Sequence, residues 1–510
     1  MQTEREFTTP VVRALSTAPT AHPAPDLTRA ERFDALQRRL VDVEVATLER
    51  APRRSMVVVP SRPIDMADEP PAKSQAFEER LLCSLLMLDD PELHIVYVTS
   101  SPVAGSTVEY YLSLLPEIRR RHARRRLTLL SAGDESPRPL SEKLLEQPEL
   151  LEQVRRALPD PALTQLVPYT TTELERDLAV ALDLPMYGAD PRHWFLGTKS
   201  GCRELFARAG APYPIGVERI AGAHQAIVAI ARMRALRPSI EQVVVKLNDG
   251  VAGRGNAIVD LRGLPRPGGD DQHELIAARL ATMAPEAEDL GVPAYLDKLA
   301  EQGGIVEERI TGADLRSPSV QLNITPSGEV EIVSTHDQLL GGPSGQVYLG
   351  CSFPAAPEYA ATIIAIARRV GAELARAGVI GRSAVDFVVA RGCDGEWQPY
   401  AIELNLRKGG TTHPFLTADL LTGGAVQHYV ASDHLEVAGL CGEEAVAELE
   451  RQGLSYCPRR RVGVVLHMLG CAGPLGRIGA TALGASAEEA WALYDATARL
   501  LVARPAAVAA

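Results

Sequence analysis

Short apolar runs rich in β-branched residues alternate with longer amphipathic segments through the first third of the chain. In chain order, the runs and the helical segments between them lie at 56–60, 73–89, 94–100, 106–125, 127–132 and 141–158. A further amphipathic helix is predicted over 29–50, behind a capping box formed by Thr28 and Glu31. Strands that alternate with helices predict a parallel sheet covered by helices.

The pattern changes after about residue 190, where apolar runs come in pairs joined by short turns. The segment 319–335 contains two alternating runs around Pro326, Ser327 and Gly328, and the runs SAVDFVVA and PYAIELNL flank a turn at 392–395. Paired runs with this turn chemistry predict antiparallel hairpins. The expected fold class is therefore α/β in the first part of the chain and α+β in the part that follows.

Composition places the chain among ordinary globular proteins. Of its 510 residues, 46% are hydrophobic and 23% are charged. The 53 basic and 65 acidic residues give a net charge of −12, which disfavours binding to nucleic-acid backbones. No apolar run reaches the roughly 18 residues of a membrane span, and the N-terminus has no apolar signal region. Seven dispersed cysteines without a CxxC motif are typical of reduced thiols. We therefore expect a cytoplasmic protein without membrane or nucleic-acid partners.

The most informative polar positions are Asp386, Glu403 and Asn405, which interrupt two apolar runs. Residues two apart on a strand share a face, so Glu403 and Asn405 point the same way, and strand pairing brings Asp386 beside them. Buried carboxylates require a compensating cation, and hard oxygen ligands suit Mg²⁺. Pairing of these acids with neighbouring arginine or lysine side chains is an equally open interpretation.

A lysine and a glycine-rich loop form a second pattern, in which Lys246 ends an apolar run and is followed by Gly250, Gly253 and Gly255. Glycines let backbone N–H groups approach phosphate oxygens, and a lysine supplies a point charge for the same phosphates. The loop is not a Walker-A motif. A plain hairpin turn remains the alternative interpretation.

Two further features are weak when taken alone. Lys199 lies at a predicted helix start in the segment GTKSG, where a bound anion would offset its conflict with the helix dipole. The predicted strand 304–310 runs into a loop that contains Asp314. A solvated lysine and an ordinary strand with an acidic exit are the alternatives.

In combination and in this order, the motifs resemble the ATP-grasp superfamily of carboxylate–amine ligases. The segments KLNDGVAGRGNA, STHDQLLGG, IELNLRKGGTTHPF and GVVLHMLG more narrowly resemble the pheganomycin-type peptide ligases. The resemblance implies an ATP-grasp fold with an N-terminal parallel α/β domain and an extra C-terminal domain. It divides the chain into a tail without fixed structure at 1–27, an N-terminal helix and α/β domain at 28–190, a central lid subdomain at 191–312, a second grasp subdomain at 313–425 and an additional domain at 426–510.

The resemblance also implies roles for individual residues. Lys199 and Lys246 resemble the phosphate-binding lysines, and Gly250, Gly253 and Gly255 resemble the loop that closes over the triphosphate. The adenine hinge is implied at Glu307, Glu308 and Ile310, the ribose acceptor at Asp314, and the ligands of Mg²⁺ (or Mn²⁺) at Asp386, Glu403 and Asn405.

One position departs from the pattern of related D-alanine ligases, which carry an arginine two residues before the first metal-binding acid. This chain has Ala384 there, and Arg382 and Arg407 are the candidates for the missing catalytic charge. The candidate substrate residues are Lys408, His413 and His336.

The implied activity is ATP- and Mg²⁺-dependent joining of a carboxylic acid to the amine of an amino acid or peptide, with ADP as product, in the biosynthesis of peptide natural products such as antibiotics. A kinase or carboxylase of the same fold and a non-catalytic nucleotide-binding protein are the alternatives. The oligomeric state is open, with a homodimer as one alternative.

Overall fold

The computed structural model describes residues 28–61, 71–249, 255–287, 290–312, 314–341, 345 and 347–502. The N-terminal tail 1–27 and two of the predicted loop glycines, Gly250 and Gly253, lie outside the described residues.

The first part of the chain folds around a parallel sheet. Its strands follow the order β3-β2-β1-β4 and comprise β1 (Arg54–Val59), β2 (Leu93–Thr99), β3 (Leu127–Ser131) and β4 (Thr164–Pro168). Every residue of β1 is buried, as expected for a strand covered on both faces. The helices of this part are α1 (Arg29–Gln37), α2 (Leu40–Leu48), α3 (Pro71–Glu79), α4 (Gly105–Ser113), α5 (Glu117–Arg125), α6 (Leu140–Leu145), α7 (Pro148–Arg156) and α8 (Glu173–Leu182), with 3₁₀ segments at Arg80–Asp89 and Pro161–Leu163.

Several long helical segments of the sequence prediction are divided in the structure. The predicted helix 106–125 breaks before α5 at Pro116, and 141–158 breaks at Pro148, the first residue of α7. Proline lacks the N–H group that a continuing helix needs, and its ring clashes with the preceding turn. The predicted helix 29–50 is likewise divided into α1 and α2.

A second, antiparallel sheet follows with the strand order β5-β9-β6-β7-β8. Its strands are β5 (Gly216–Ile220), β6 (Gln242–Leu247), β7 (Asn256–Asp260), β8 (Ala284–Pro285) and β9 (Gly304–Glu308). Helices α10 (Ala223–Leu236), α11 (Gln272–Ala281) and α12 (Val292–Gln302) cover it around a core that includes Ile230, Val243 and Leu299. Helix α9 (Lys199–Arg208), preceded by the 3₁₀ segment Pro191–Gly197, contacts this sheet and the next.

The third sheet has nine strands in the described part of the chain. They are β10 (Leu315–Arg316), β11 (Pro318–Ile324), β12 (Val330–Gly341), β13 (Val347–Phe353), β14 (Gly381–Arg391), β15 (Trp397–Asn405), β16 (His428–Glu436), β17 (Gly463–His467) and β18 (Arg477–Gly484). The order is β10-β14-β11-β12-β13-β16-β18-β17, and β15 pairs with β14. The sheet continues into β16, β17 and β18, beyond residue 425, the predicted boundary of the additional domain.

The apolar side of helix α13 (Pro357–Arg376) packs against the third sheet. Its side chains Ile363 and Val370 join Val320 and Val385 in one core, and Gly371 lets the helix approach closely, since a Cβ there would lie 2.5 Å from Val330. Each fully buried aliphatic side chain contributes about 1.5–3 kcal/mol. The remaining helices are α14 (Thr412–Thr422), α15 (Gly442–Arg451), α16 (Ala472–Leu475) and α17 (Ala487–Val502), with a 3₁₀ segment at Leu469–Cys471. Among the described helices, none has the length and apolar character needed to cross a bilayer.

Two histidines lie fully buried in this part of the fold. The Nε2 of His336 is 2.5 Å from the hydroxyl of Tyr429, and His467 lies between the hydroxyls of Tyr111 and Thr481. Burial lowers the pKa of each imidazole to about 3. In the unfolded chain a histidine takes up its proton near pH 6.5. Stability that is present above that pH is therefore lost progressively on acidification from pH ~6.5 towards pH ~3.

We expect His336→Gln to weaken this acid sensitivity, because the variant lacks one group that binds a proton only when the chain unfolds. Between about pH 6 and 4, the difference in unfolding free energy between the wild type and the variant should shrink by up to about 1.4 kcal/mol per pH unit. Urea denaturation at stepped pH measures it. Substitution of the exposed His122 by Gln is the control. If the unfolding free energies of the wild type and of His336→Gln fall equally with decreasing pH, the prediction is contradicted.

Candidate functional site

The acidic residues singled out in the sequence meet on neighbouring strands of the third sheet. Asp386 on β14 is paired with Glu403 on β15, and Ala384 is paired with Asn405. The Nδ2 of Asn405 donates to Oδ2 of Asp386 over 2.9 Å, and the Nε2 of Gln338 on β12 donates to Oδ1 over the same distance. Strand pairing thus assembles two carboxylates and two amides on one face.

Lys199 brings a positive charge to this group. Its Nζ lies 2.6 Å from Oε1 of Glu403, and the side chain is 6% exposed. Burial acts against the charged form of Lys199, but Glu403 outweighs it and raises the lysine pKa. The start of α9 is tightly built: Thr198 caps it by accepting from the N–H of Gly201, and a Cβ at Gly201 would collide with the carbonyl of Phe195. The GTKSG segment therefore forms the N-terminal cap of α9 and fixes the position of Lys199 next to Glu403.

The donor set fits a hard divalent cation. Burial and the nearby charge of Glu403 raise the pKa of Asp386, so a cation bound beside the pair would favour the charged form of both carboxylates. No group of three or more His, Cys, Asp or Glu side chains placed to hold a metal is found in the described ranges. Two carboxylates with amide neighbours instead match the partial ligand set of Mg²⁺, which takes its remaining ligands from phosphates and water.

The second lysine belongs to another buried ion network. The Nζ of Lys246 on β6 lies 2.6 Å from Oε1 of Glu307 on β9, and Nη1 of Arg203 lies 2.8 Å from Oε2 of the same carboxylate. Arg203 also binds Glu218 at 2.8 Å. Because Arg203 and Lys199 both lie on α9, one helix joins the acidic cluster to the lysine of the second sheet. Burial acts to raise the pKa of Glu403, but the charge of Lys199, and to a smaller extent that of Lys246, lowers it.

The residues predicted for the adenine hinge, the ribose and the closing loop each have their own local contacts. Glu308 forms an ion pair with Arg237 at 2.6 Å, and Ile310 lies beyond the last pair between β6 and β9. Asp314 is paired with Arg316 at 3.1 Å. The carbonyl of Gly255 accepts from the N–H of Leu247 and from the hydroxyl of the buried Tyr295. The sequence gives no signal for this contact of Tyr295, because the residue looks like any other apolar position of an amphipathic helix.

A cavity of about 390 Å³ opens from the acidic cluster. Its walls come from the third sheet, including β16 and β18, from α3 and the start of the 3₁₀ segment that follows it, and from residues 409–411. The charged and hydrogen-bonding side chains that line it include Asp386, Glu403, Asn405, Arg407, Lys73, Arg80, Tyr169, Asp433 and Arg477. Local motifs hold no signal for Arg80, Asp433 or Arg477, because they are brought together only by packing between distant segments.

The remaining candidates occupy different environments. Arg407 lines the cavity, whereas Arg382 lies four residues before Asp386 on β14, about 13 Å along the strand. Lys408 donates to the carbonyl of Pro168 over 2.5 Å, and burial together with Arg382 lowers its pKa to about 7. His336 is paired with Ser319, which is itself paired with Asp386. It does not line the cavity and contacts the rings of Phe353 and Phe415 instead.

His413 lies beneath the cavity wall. It is almost fully buried, and its Nε2 is 2.9 Å from Oδ1 of Asp433. His413 therefore contacts a cavity residue without lining the cavity itself.

We expect Glu307→Gln to destabilise the protein by about 3–5 kcal/mol, since it leaves two buried cations, Lys246 and Arg203, without their shared carboxylate. The adjacent Glu308→Gln is the matched control. It breaks a pair whose arginine is 46% exposed, which costs about 1 kcal/mol or less. Chemical denaturation of the two variants measures the difference, and equal losses would contradict the buried network.

Two protein-family profiles match the chain. The profile described as IQCH-like, ATP-grasp matches residues 193–273 and 291–427, and the PGM1 C-terminal domain matches 444–497. L-propargylglycine--L-glutamate ligase from Streptantibioticus cattleyicolor is 33% identical over 457 residues, which cover 84% of this chain and 89% of the relative.

Solved structures show the same architecture at low identity. The biotin carboxylase–β,γ-ATP complex from Campylobacter jejuni aligns with a TM-score of 0.52 at 13% identity, over 87% of this chain and 90% of its own. An ADP complex of N5-carboxyaminoimidazole ribonucleotide synthetase aligns with a TM-score of 0.50 at 13% identity, over 88% of this chain and 96% of its own. At this identity the likeness concerns the fold.

Proposed function

The chain belongs to the ATP-grasp superfamily of carboxylate–amine ligases, and from that premise we propose that it uses ATP and Mg²⁺ to join a carboxylic acid to the amine of an amino acid or peptide. The membership confirms the resemblance that the motifs indicated. The name of the curated relative specifies two amino acids, L-propargylglycine and L-glutamate. We extend the amino-acid class of substrate, and a place in peptide natural-product biosynthesis, to this chain.

One observation carries the proposal: the two carboxylates Asp386 and Glu403 lie at the wall of a cavity, with Lys199 bound to one of them. A buried acidic pair beside lysines suits a ligand that carries both phosphate and metal charge. We assign Asp386, Glu403 and Asn405 to Mg²⁺, and Lys199 and Lys246 to the phosphates. The hinge at Glu307, Glu308 and Ile310 is assigned to adenine, Asp314 to ribose, and the Gly250, Gly253 and Gly255 loop to the triphosphate.

The proposed reaction has two steps. A carboxylate oxygen of the donor attacks the γ-phosphorus, the bond to the bridging oxygen breaks, and ADP leaves. The amine of the acceptor then attacks the carbonyl carbon of the acylphosphate, phosphate leaves with the electron pair of the C–O bond, and the amine releases a proton.

In these steps the residues of the chain position and neutralise rather than react covalently. Lys199 and Lys246 hold negative oxygens, Arg407 at the cavity wall stabilises charge on the transferring group, and the buried setting keeps water from the acylphosphate. Mg²⁺, when bound, supplies further charge neutralisation. No serine or cysteine nucleophile is needed.

We expect the purified protein to release ADP and phosphate when it is incubated with ATP, Mg²⁺, an amino-acid donor and an amine acceptor. Asp386→Asn and Glu403→Gln should abolish this release, because each removes one of two negative charges facing the metal. Asp183→Asn, at a carboxylate whose side chain is 84% exposed, is the isosteric control. Release of AMP and pyrophosphate, or a stable phosphorylated product formed without amine, would contradict the proposal.

We expect Arg407→Gln to lower kcat by about 10²–10³-fold, as loss of one preorganised donor to a developing anion does. Arg382→Gln should cause a much smaller loss, because Arg382 is distant from Asp386 along β14 and does not line the cavity. Steady-state kinetics under saturating ATP distinguish the two arginines. Equal kcat losses would assign no special role to Arg407.

A further inference from the structure

The end of the cavity remote from Asp386 carries its own charged wall. Asp386 lies on β14, whereas Asp433 lies on β16, four positions away in the order β14-β11-β12-β13-β16. Arg80, Arg477 and Lys73 line this second end. Metal and phosphate chemistry at the first end explains none of these residues.

Asp433 is held in place by a built network. It lies where the pairing of β16 with β18 is irregular, between Ser432 and Leu435, and such bulges redirect side chains. Its carboxylate is 4% exposed and lies 2.9 Å from Nη2 of Arg80 and 2.9 Å from Nε2 of His413. Gly479 opposite provides the space, because a Cβ there would lie 3.0 Å from Oδ1 of Asp433.

Arg80 is oriented by this network and retains bonding capacity. Its guanidinium lies 4.3 Å from the centre of the Phe77 ring, and its Nε has no hydrogen-bond partner among the described residues. An arginine fork has five N–H donors, so the ion pair with Asp433 and a hydrogen bond with Tyr169 leave others for a ligand. A buried, unpartnered donor is unfavourable unless a ligand accepts from it.

The charge at this end points to an anionic group. Among the described residues that line this end, one carboxylate, Asp433, faces three basic side chains, which are Arg80, Arg477 and Lys73. Asp433 also contacts His413. The Nη1 of Arg477 lies 3.1 Å from the Nδ1 of His434, and no carboxylate of the described residues is recorded in an ion pair with Arg477. The planar guanidinium groups of Arg80 and Arg477 match the two oxygens of a carboxylate.

We propose that Arg80 and Arg477 bind a substrate carboxylate that takes no part in the reaction. This rests on the proposed ligase function and specifies the substrate class: one of the two substrates bears a spectator carboxylate. That group is either the α-carboxylate of an amino-acid acceptor or a second carboxylate on the donor. Asp433 and His413 act as positioning residues for Arg80.

The experiment compares matched substrates in the ADP-release assay. The acceptor arm compares an amino acid with its α-amide. The donor arm compares glutamate with both of its amides, glutamine and isoglutamine, because one of them lacks the reacting carboxylate and gives no product, whereas the other lacks only the second carboxylate. Each loss of a charge-assisted hydrogen bond raises KM by about tenfold or more. The wild type should therefore prefer the carboxylate form in one arm, and that arm identifies its source.

Arg477→Gln should remove this preference selectively. We expect about a tenfold higher KM for the carboxylate substrate, little change for its amide, and unchanged kcat and KM for ATP. Arg80→Lys keeps the charge without the planar fork and should lose part of the preference. Arg156→Gln, on the exposed face of α7 with a side chain that is 74% exposed, is the matched control.

The outcomes separate this inference from the ligase proposal. Equal use of carboxylate and amide substrates by the wild type, or an equal loss for both in Arg477→Gln, overturns the spectator site while ligation stands. If no substrate pair releases ADP, calorimetric titration with glutamate, glutamine and isoglutamine still tests the site directly. Weaker binding of one amide than of glutamate, with the difference lost in Arg477→Gln, would then support it, and equal binding of all three would overturn it.

Discussion

Charge pairing in a buried environment is the constraint on which this structure depends. Helix α9 places Lys199 against Glu403 of the third sheet and Arg203 against Glu307 of the second. An isolated buried charge is unfavourable by several kcal/mol, so each of these groups requires its partner. Ion pairs as well as apolar contacts therefore fix the positions of the second and third sheets relative to helix α9.

This arrangement also explains how an acidic protein handles anionic ligands. The net charge of −12 belongs to the whole chain, while lysine and arginine side chains concentrate around one cavity. Local fields in a low-dielectric cavity outweigh a diffuse surface charge that salt screens. The roles that we propose divide reaction and recognition along the cavity, with the acidic cluster at one end and Arg80 and Arg477 at the other.

Local structure was predictable wherever the periodicity was strong and uninterrupted. The runs at 94–100 and 127–132 form β2 and β3, and the paired runs around 392–395 form the β14–β15 hairpin. The prediction was too long where prolines interrupt a continuous apolar pattern, as at Pro116 and Pro148. Apolar spacing continues across such breaks because both helices pack on the same core, so periodicity alone does not reveal them.

The sequence by itself determined the acidic cluster: alternation on two adjacent strands requires Asp386, Glu403 and Asn405 to share a face once the strands pair. The tertiary structure alone decided that Lys199 reaches Glu403, that Arg203 shares Glu307 with Lys246, and that Arg80 meets Asp433 across 353 positions of chain. Strand periodicity is a local property of the backbone. Contacts between distant segments depend on how whole sheets and helices pack, which local spacing does not encode.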